Sequence, residues 1–216
     1  MSLQVDVRKL DLFNKMAKEG SGTVADHLTQ LTGVDAAVRT SQINFLDIGD
    51  VKTHLGNEER IGIYVELTEA PGGYVLFVLA PADGKRLAGQ MMGGLGGDDE
   101  GFSEMERSAL QEIGNIMTSG FIDGWANVLD ATIDMTTPTL LVDDTATIID
   151  SMGGWPDSDL VFVIDSHIVS EGDGGEGEPI DLTVYTFPQL EDLVAMIKDI
   201  DLDTDVKADT TADDLL

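Results

Sequence analysis

Along residues 108–128 the apolar positions recur at helical spacing, with Leu110, Ile113, Met117, Phe121 and Val128 on one side and Gly120 and Gly124 among them. Ser108, Glu112, Asn115 and Ser119 fall on the other side, within an arc of roughly 60°. The pattern predicts a long helix with its apolar face on a core and a polar stripe toward solvent. Just upstream, Ser103 followed three residues later by Glu106 forms a capping box that marks where this helix begins.

The same reading extends along the chain. Residues 11–32 carry Leu12, Met16, Val24, Leu28 and Leu31 near helical spacing, with Gly20 and Gly22 speaking against an unbroken helix. A strand is expected at 43–48. Residues 60–68 and 73–80 are β-branched and aromatic around a Pro-Gly-Gly turn, which predicts a hairpin. Pro81 then opens a helix, in the position where proline is tolerated. The glycine and acid run 93–101 reads as a flexible connection. After the long helix, strands are expected at 132–135, 146–149, 159–168 and 179–187, the last two joined by a loose loop at 172–178. Pro188 is expected to open a final helix over 189–200. The acidic stretch 201–216 has little to bury and is expected to be a mobile tail.

This order of helix, strands, hairpin and Pro-started helix occurs twice, at an offset of about 97 to 107 residues. Lys18 falls on Asn115, and Pro81 on Pro188. One domain over residues 1–200 is expected, made of two repeats at about 8–95 and 103–200.

Composition narrows the possible partners. Forty-one acids against 12 bases give a net charge of −29 and a pI near 4.1, a self-repulsion that would strain an ordinary compact domain. At molar salt the Debye length falls to ~3 Å and most of that repulsion disappears. The composition therefore suggests a halophile, the competing reading being a surface for a basic partner. No basic patch exists to meet phosphates, which argues against nucleic acid or an anionic membrane. The absence of cysteine excludes disulfides, thiolate metal sites and thiol nucleophiles. No apolar run reaches the ~18 residues of a membrane span and the first residues lack a signal-peptide core, so a cytoplasmic location is expected.

On periodicity alone, Glu112 and Asn115 belong to an ordinary solvated face. The wider arrangement adds to this: Ser108, three residues, Glu112, two residues, Asn115, twenty-two residues, Pro138. That arrangement, with the surrounding LQEIGNIMTSGFIDGWANVLDATIDMTTPTL, resembles the signature of the CheC/CheX/FliY family of chemotaxis phosphatases. The resemblance implies an α/β layered fold, internally duplicated with pseudo-two-fold symmetry, its long helices packed on a central mixed β-sheet. It also implies a substrate, the phosphoaspartate of a CheY-like response regulator, hydrolysed around the regulator's own Mg²⁺ with no cofactor or metal bound by this chain. Asn115 would position the attacking water, Glu112 would dock on the regulator's lysine, and Ser108 and Pro138 would support them.

The first half departs from that signature. Asp11 fits its first position, but Lys15 and Lys18 stand where Glu and Asn are needed, and Ser41 lies near the proline position. A cation cannot replace a carboxylate or an amide facing a metal-loaded acidic site. The first site is read as degenerate, leaving one working site. The alternative is an adaptor that regulates a CheD-like receptor deamidase by complex formation, through exposed methionines such as Met91, Met92 or Met196. A FliY-type switch component finds no additional switch domain here.

Other chemistries fail on residue type. The run 93–101 lacks the Gly-Lys-Ser/Thr of a phosphate loop, and 172–178 lacks the spacing of a twelve-residue calcium loop. His27, His54 and His167 form no ligand pair, and no Gly-x-Ser-x-Gly elbow exists. Trp125 and Trp155 are expected to be packing residues.

Overall fold

The computed structural model describes residues 7–32, 36–47, 50–69, 72–94, 101–152, 160–170, 180–189 and 192. In chain order its elements are α1 (Val7–Thr32), β1 (Ala36–Asp47), α2 (Val51–Leu55), β2 (Glu59–Leu67), β3 (Gly73–Leu79), α3 (Pro81–Met91), α4 (Glu104–Leu129), β4 (Thr139–Asp144), α5 (Thr145–Ser151), β5 (Leu160–Ser170) and β6 (Ile180–Pro188). The expected helix at 189–200 is described only at Gln189 and at Asp192, which is helical. The loop at 172–178, the stretch 201–216, Trp155 and Met196 lie outside the described residues, as do 95–100 of the glycine-rich connection.

The six strands form one sheet in the order β1-β5-β6-β3-β2-β4. Exchanging the halves and reading from the opposite edge returns the same order. The pseudo-two-fold axis passes between β3 and β6, where Phe77 pairs with Val184. Each half also places its first strand on the other half's hairpin, β1 beside β5 and β4 beside β2. Every described ladder is antiparallel, so the sheet is not mixed as expected. The reason is topological: parallel neighbours need a crossover within one half, whereas hairpins and exchanged strands run antiparallel.

Both faces of the sheet are covered, which is why its central strands read as nearly continuous apolar runs. Val75, Phe77 and Leu79 of β3 face the main core with α1, α3 and α4, while Leu76 and Val78 face a second core built with α2 and α5. Trp125 is fully buried, 5.2 Å from Phe121 and 6.2 Å from Phe162 between ring centroids, and Phe121 sits edge-on to Phe77 at 5.7 Å. Rings of this size each bury ~150–250 Å² and dominate the energy of such a core.

Gly20 does not interrupt α1. A Cβ there would lie 2.8 Å from the Phe121 ring, and one on Gly124 would lie 2.5 Å from the Gly20 backbone. The two long helices therefore cross with their backbones nearly touching. The helix-propensity cost of glycine, ~1 kcal/mol, is outweighed by the packing that this approach allows.

Several expectations are corrected. Residues 146–149 belong to helix α5, not to a strand, because Asp144 caps it: its carboxylate accepts from the Thr147 backbone N–H at 3.1 Å and from the Thr147 hydroxyl at 2.8 Å. That carboxylate is held below its usual pKa, chiefly by the Thr147 backbone N–H. The expected strand at 132–135 reduces to a single bridge between Met135 and Leu67, and the strand itself comes later, as β4. Strand β1 starts at Ala36, well before residue 43. Pro188 is the last residue of β6, and the start of the helix expected after it lies outside the described residues. Val128, expected on the buried side, is only partly buried. No described helix is long and apolar enough to cross a membrane.

Candidate functional site

Helix α4 begins as its sequence dictates. The Ser103 hydroxyl accepts from the Glu106 backbone N–H at 3.2 Å, and the Glu106 carboxylate accepts from the Ser103 backbone N–H at 2.8 Å. Glu106 is buried, also accepts from the Ser103 hydroxyl at 2.8 Å, and lies 3.2 Å from the Lys85 ammonium of α3. The two Ser103 bonds and then Lys85 pull its carboxyl down to about 2. One acid thus caps α4 and ties it to α3, whose Lys85 also lies 5.3 Å from the centre of the Phe102 ring.

From this fixed start the helix presents its stripe as expected. Ser108 and Glu112 are exposed, Asn115 and Ser119 are half-buried, and Leu110, Ile113, Met117 and Phe121 are buried on the opposite side. Met105, 65 % exposed, continues the stripe toward the N-terminus, three residues before Ser108 and seven before Glu112. Gly114 sets the height of the stripe above the sheet, since a Cβ there would lie 2.8 Å from Cγ2 of the fully buried Ile63 in β2. The backbone carbonyl of Asn115 accepts from the Thr118 hydroxyl at 3.1 Å, and that of Gly114 accepts from the same hydroxyl at 2.8 Å.

Pro138 comes next to this helix through the backbone. Between α4 and β4 the chain is laced along β2 by Thr68 N–H to the Asp134 carbonyl at 2.9 Å, Thr136 N–H to the Glu66 carbonyl at 2.9 Å, and Glu66 N–H to the Thr136 hydroxyl at 3.0 Å. It ends with Gln111 Nε2 donating to the Pro138 carbonyl at 2.8 Å. In the sequence Gln111 is merely the neighbour of Glu112. Its partner 27 residues away is visible only in three dimensions.

The pseudo-equivalent place in the first half differs. Lys15 and Lys18 are exposed on α1, and the side chains of Asp11 and Ser41 lie outside the described residues. Between α1 and β1 a cleft of about 290 Å³ is lined by Asn14, Ala17, Lys18, Ser21, Val38 and Thr40.

The histidines are dispersed. His54 Nδ1 lies 2.8 Å from the Tyr185 hydroxyl, and His167 Nδ1 lies 2.7 Å from Asp181. Burial, then the nearby Asp165, raises the Tyr185 phenol above its usual range. Met91 and Met92 are partly buried against the main core.

Comparison with known proteins gives consistent results. The profile of the CheC-like family matches residues 105–142, a span that contains Ser108, Glu112, Asn115 and Pro138. A Halobacterium salinarum protein, CheC1, whose name proposes a CheY-P phosphatase, is 40% identical over 200 residues, covering 93% of this chain and 100% of that protein. The crystal structure of Thermotoga maritima FliY superposes with a TM-score of 0.70 at 21% identity, over 91% of this chain and 97% of that one. A chain of the Borrelia burgdorferi CheX-CheY-BeF3-Mg complex has a similar fold, with a TM-score of 0.51 at 15% identity, over 86% of this chain and 99% of that one.

Proposed function

Because the chain belongs to the CheC-like family, we propose that it stimulates hydrolysis of the phosphoaspartate of a CheY-like response regulator through Glu112 and Asn115. The observation that carries this reading is their placement: a carboxylate and a carboxamide three residues apart, both accessible, on a helix fixed by a capping box at one end and by a glycine crossing further along. A stiff helix delivers two such groups into another molecule's pocket without an entropic cost for ordering a loop. The neighbouring fold whose structure was solved with CheY, BeF3 and Mg supports a partner of this class.

In this mechanism Asn115 holds a water in line with the phosphorus, its amide N–H donating to the water oxygen and its carbonyl accepting one water proton. The water oxygen bonds to phosphorus as the bond to the aspartyl oxygen breaks, releasing phosphate and the free carboxylate. The Mg²⁺ that neutralises the phosphoryl oxygens belongs to the regulator. Glu112 pairs with the regulator's lysine and sets the register, a desolvated charged contact of ~2 kcal/mol or more. Met105 adds an apolar contact on the same face.

The experiment is a phosphate-lifetime assay on a phosphorylated CheY-like regulator in molar salt. Asn115→Ala is expected to abolish stimulation while docking persists, and Glu112→Ala to weaken both. Lys15→Ala should leave the rate unchanged. Equal hydrolysis by wild type and Asn115→Ala at saturating concentrations refutes the positioned water.

A further inference from the structure

We propose that the cleft between α1 and β1 is a binding site for a small phosphate-class oxyanion, held by the Lys18 ammonium, the Asn14 amide and the hydroxyls of Ser21 and Thr40. Its volume of about 290 Å³ admits one such ion with a few waters. Among the described residues, four of its six lining side chains are polar or cationic and none is acidic. In a chain with 41 acids and 12 bases, that composition sets the cleft apart.

Lys18 is the first reason for assigning an anion. Arg60 is paired with Glu58, Lys85 with Glu106 and Arg86 with Asp83. Among the described residues no acid lies within ion-pair distance of Lys18, although the acids outnumber the bases more than threefold. It lines the cleft and is exposed, so its charge is available to a ligand.

The hydroxyls behind it give the second reason. Ser21 and Ser166 are buried, Ser21 lies 3.1 Å from Thr40, and Thr40 lies 3.4 Å from Ser166. Three hydroxyls carry three O–H donors, and two contacts use two of them. Either atom of each contact can donate, and an anion in the cleft favours the direction from Ser166 through Thr40 to Ser21, which leaves the Ser21 O–H to donate into the cleft that Ser21 lines. An oxyanion accepts that donor together with those of Lys18 and Asn14, whereas a cation is repelled by Lys18.

The second half differs at the equivalent place. At the repeat offset Asn14 corresponds to Gln111 and Lys18 to Asn115. Gln111 is one methylene longer and donates to the Pro138 carbonyl. The loss of the motif in the first half thus coincides with the gain of a cation over a polar cleft. The molecule's overall negative charge opposes anions at low salt, but at molar salt a screening length of ~3 Å leaves the local contacts to decide. The inference is independent of the role given to Asn115.

The test titrates the full chain with inorganic phosphate in molar KCl at constant ionic strength, following backbone amide shifts by NMR. Saturable shifts confined to residues 14–21 and 38–40 are expected, about tenfold weaker in Lys18→Gln and also weakened in Thr40→Val. Acetate serves as the second arm: a weaker response to it supports the phosphate assignment, and an equal response overturns it. Linear shifts without saturation, or an unchanged affinity in a folded Lys18→Gln variant, overturn the site itself.

Discussion

Gln111 Nε2 donates a hydrogen bond of 2.8 Å to the backbone carbonyl of Pro138, joining the helix of the polar stripe to the chain that enters the edge strand β4. It links the helix turn that carries Glu112 directly to the proline of the motif. Gln111→Leu removes the donor and should cost about 1 kcal/mol of stability. Gln111→Glu keeps the length but sets a carboxylate against a carbonyl, so it should cost more than Leu. If Pro138 shapes the docking surface, both variants stay folded and stimulate regulator dephosphorylation roughly three- to tenfold less well. Urea melts and phosphate lifetimes, measured side by side, check both statements.

Gly114 sets how closely the stripe sits on the sheet. Alanine there gains up to ~1 kcal/mol of helix propensity. Its Cβ, however, meets Ile63 Cγ2 at 2.8 Å in a packed core, and overpacking of this kind costs ~1–3 kcal/mol. The net expectation is a destabilised protein whose Asn115 has shifted outward. The clash is with one side chain, so Gly114→Ala should cost less in an Ile63→Ala background than in wild type, a non-additivity that a double-mutant cycle measures. A purely additive cycle would show that α4 is free to rise.

The charge of −29 predicts a response to salt that packing alone does not. Between 0.1 and 1 M the Debye length falls from ~10 to ~3 Å, so repulsion between surface acids is progressively removed. The melting temperature should climb with KCl across that range, by upwards of about 5 °C. An uncharged osmolyte at matched osmolality should reproduce little of the rise. A flat KCl profile would mean that the acids are locally compensated.

The parts of this molecule legible in the sequence are those whose cause is local. The capping box of Ser103 and Glu106, the apolar face of α4, the β2-β3 hairpin and the Pro81 start of α3 each depend on residues a few positions apart, and each is present in the structure. Gly20 reads as a helix breaker because its reason for being glycine, Gly124 and Phe121, lies some hundred residues further on. Ile148 and Ile149 read as strand because β-branching is shared by strands and buried helix faces, and only the Asp144 cap decides between them. The exposed Glu112 and half-buried Asn115 on the polar stripe are anticipated by periodicity, but Gln111, bonded across to Pro138, is not. The repeat itself is legible, yet the exchange of first strands between halves is not, because nothing in a strand's own residues records its neighbour.

Glu106 makes acid stability a test of how α4 is anchored. Its carboxyl titrates at about 2 in the folded protein against an ordinary value of 4.5, chiefly because the Ser103 backbone N–H and hydroxyl bond its charged form. A depressed folded-state value means that the unfolded chain takes up the proton first as pH falls. The stabilisation from Glu106 is therefore complete above pH 4.5, declines as pH drops below it, and is gone once the folded-state value of about 2 has been passed. Glu106→Gln should be less stable than wild type at neutral pH, with the gap closing across that window. Ser103→Ala removes the hydroxyl bond and should move the window upward by raising the carboxyl's folded-state value. Denaturant melts from pH 7 to pH 2 decide the matter. A wild-type advantage over Glu106→Gln that stays constant throughout would mean that the residue acts by shape and neutral hydrogen bonding alone, and that its charge does not hold the first turn of the helix in place.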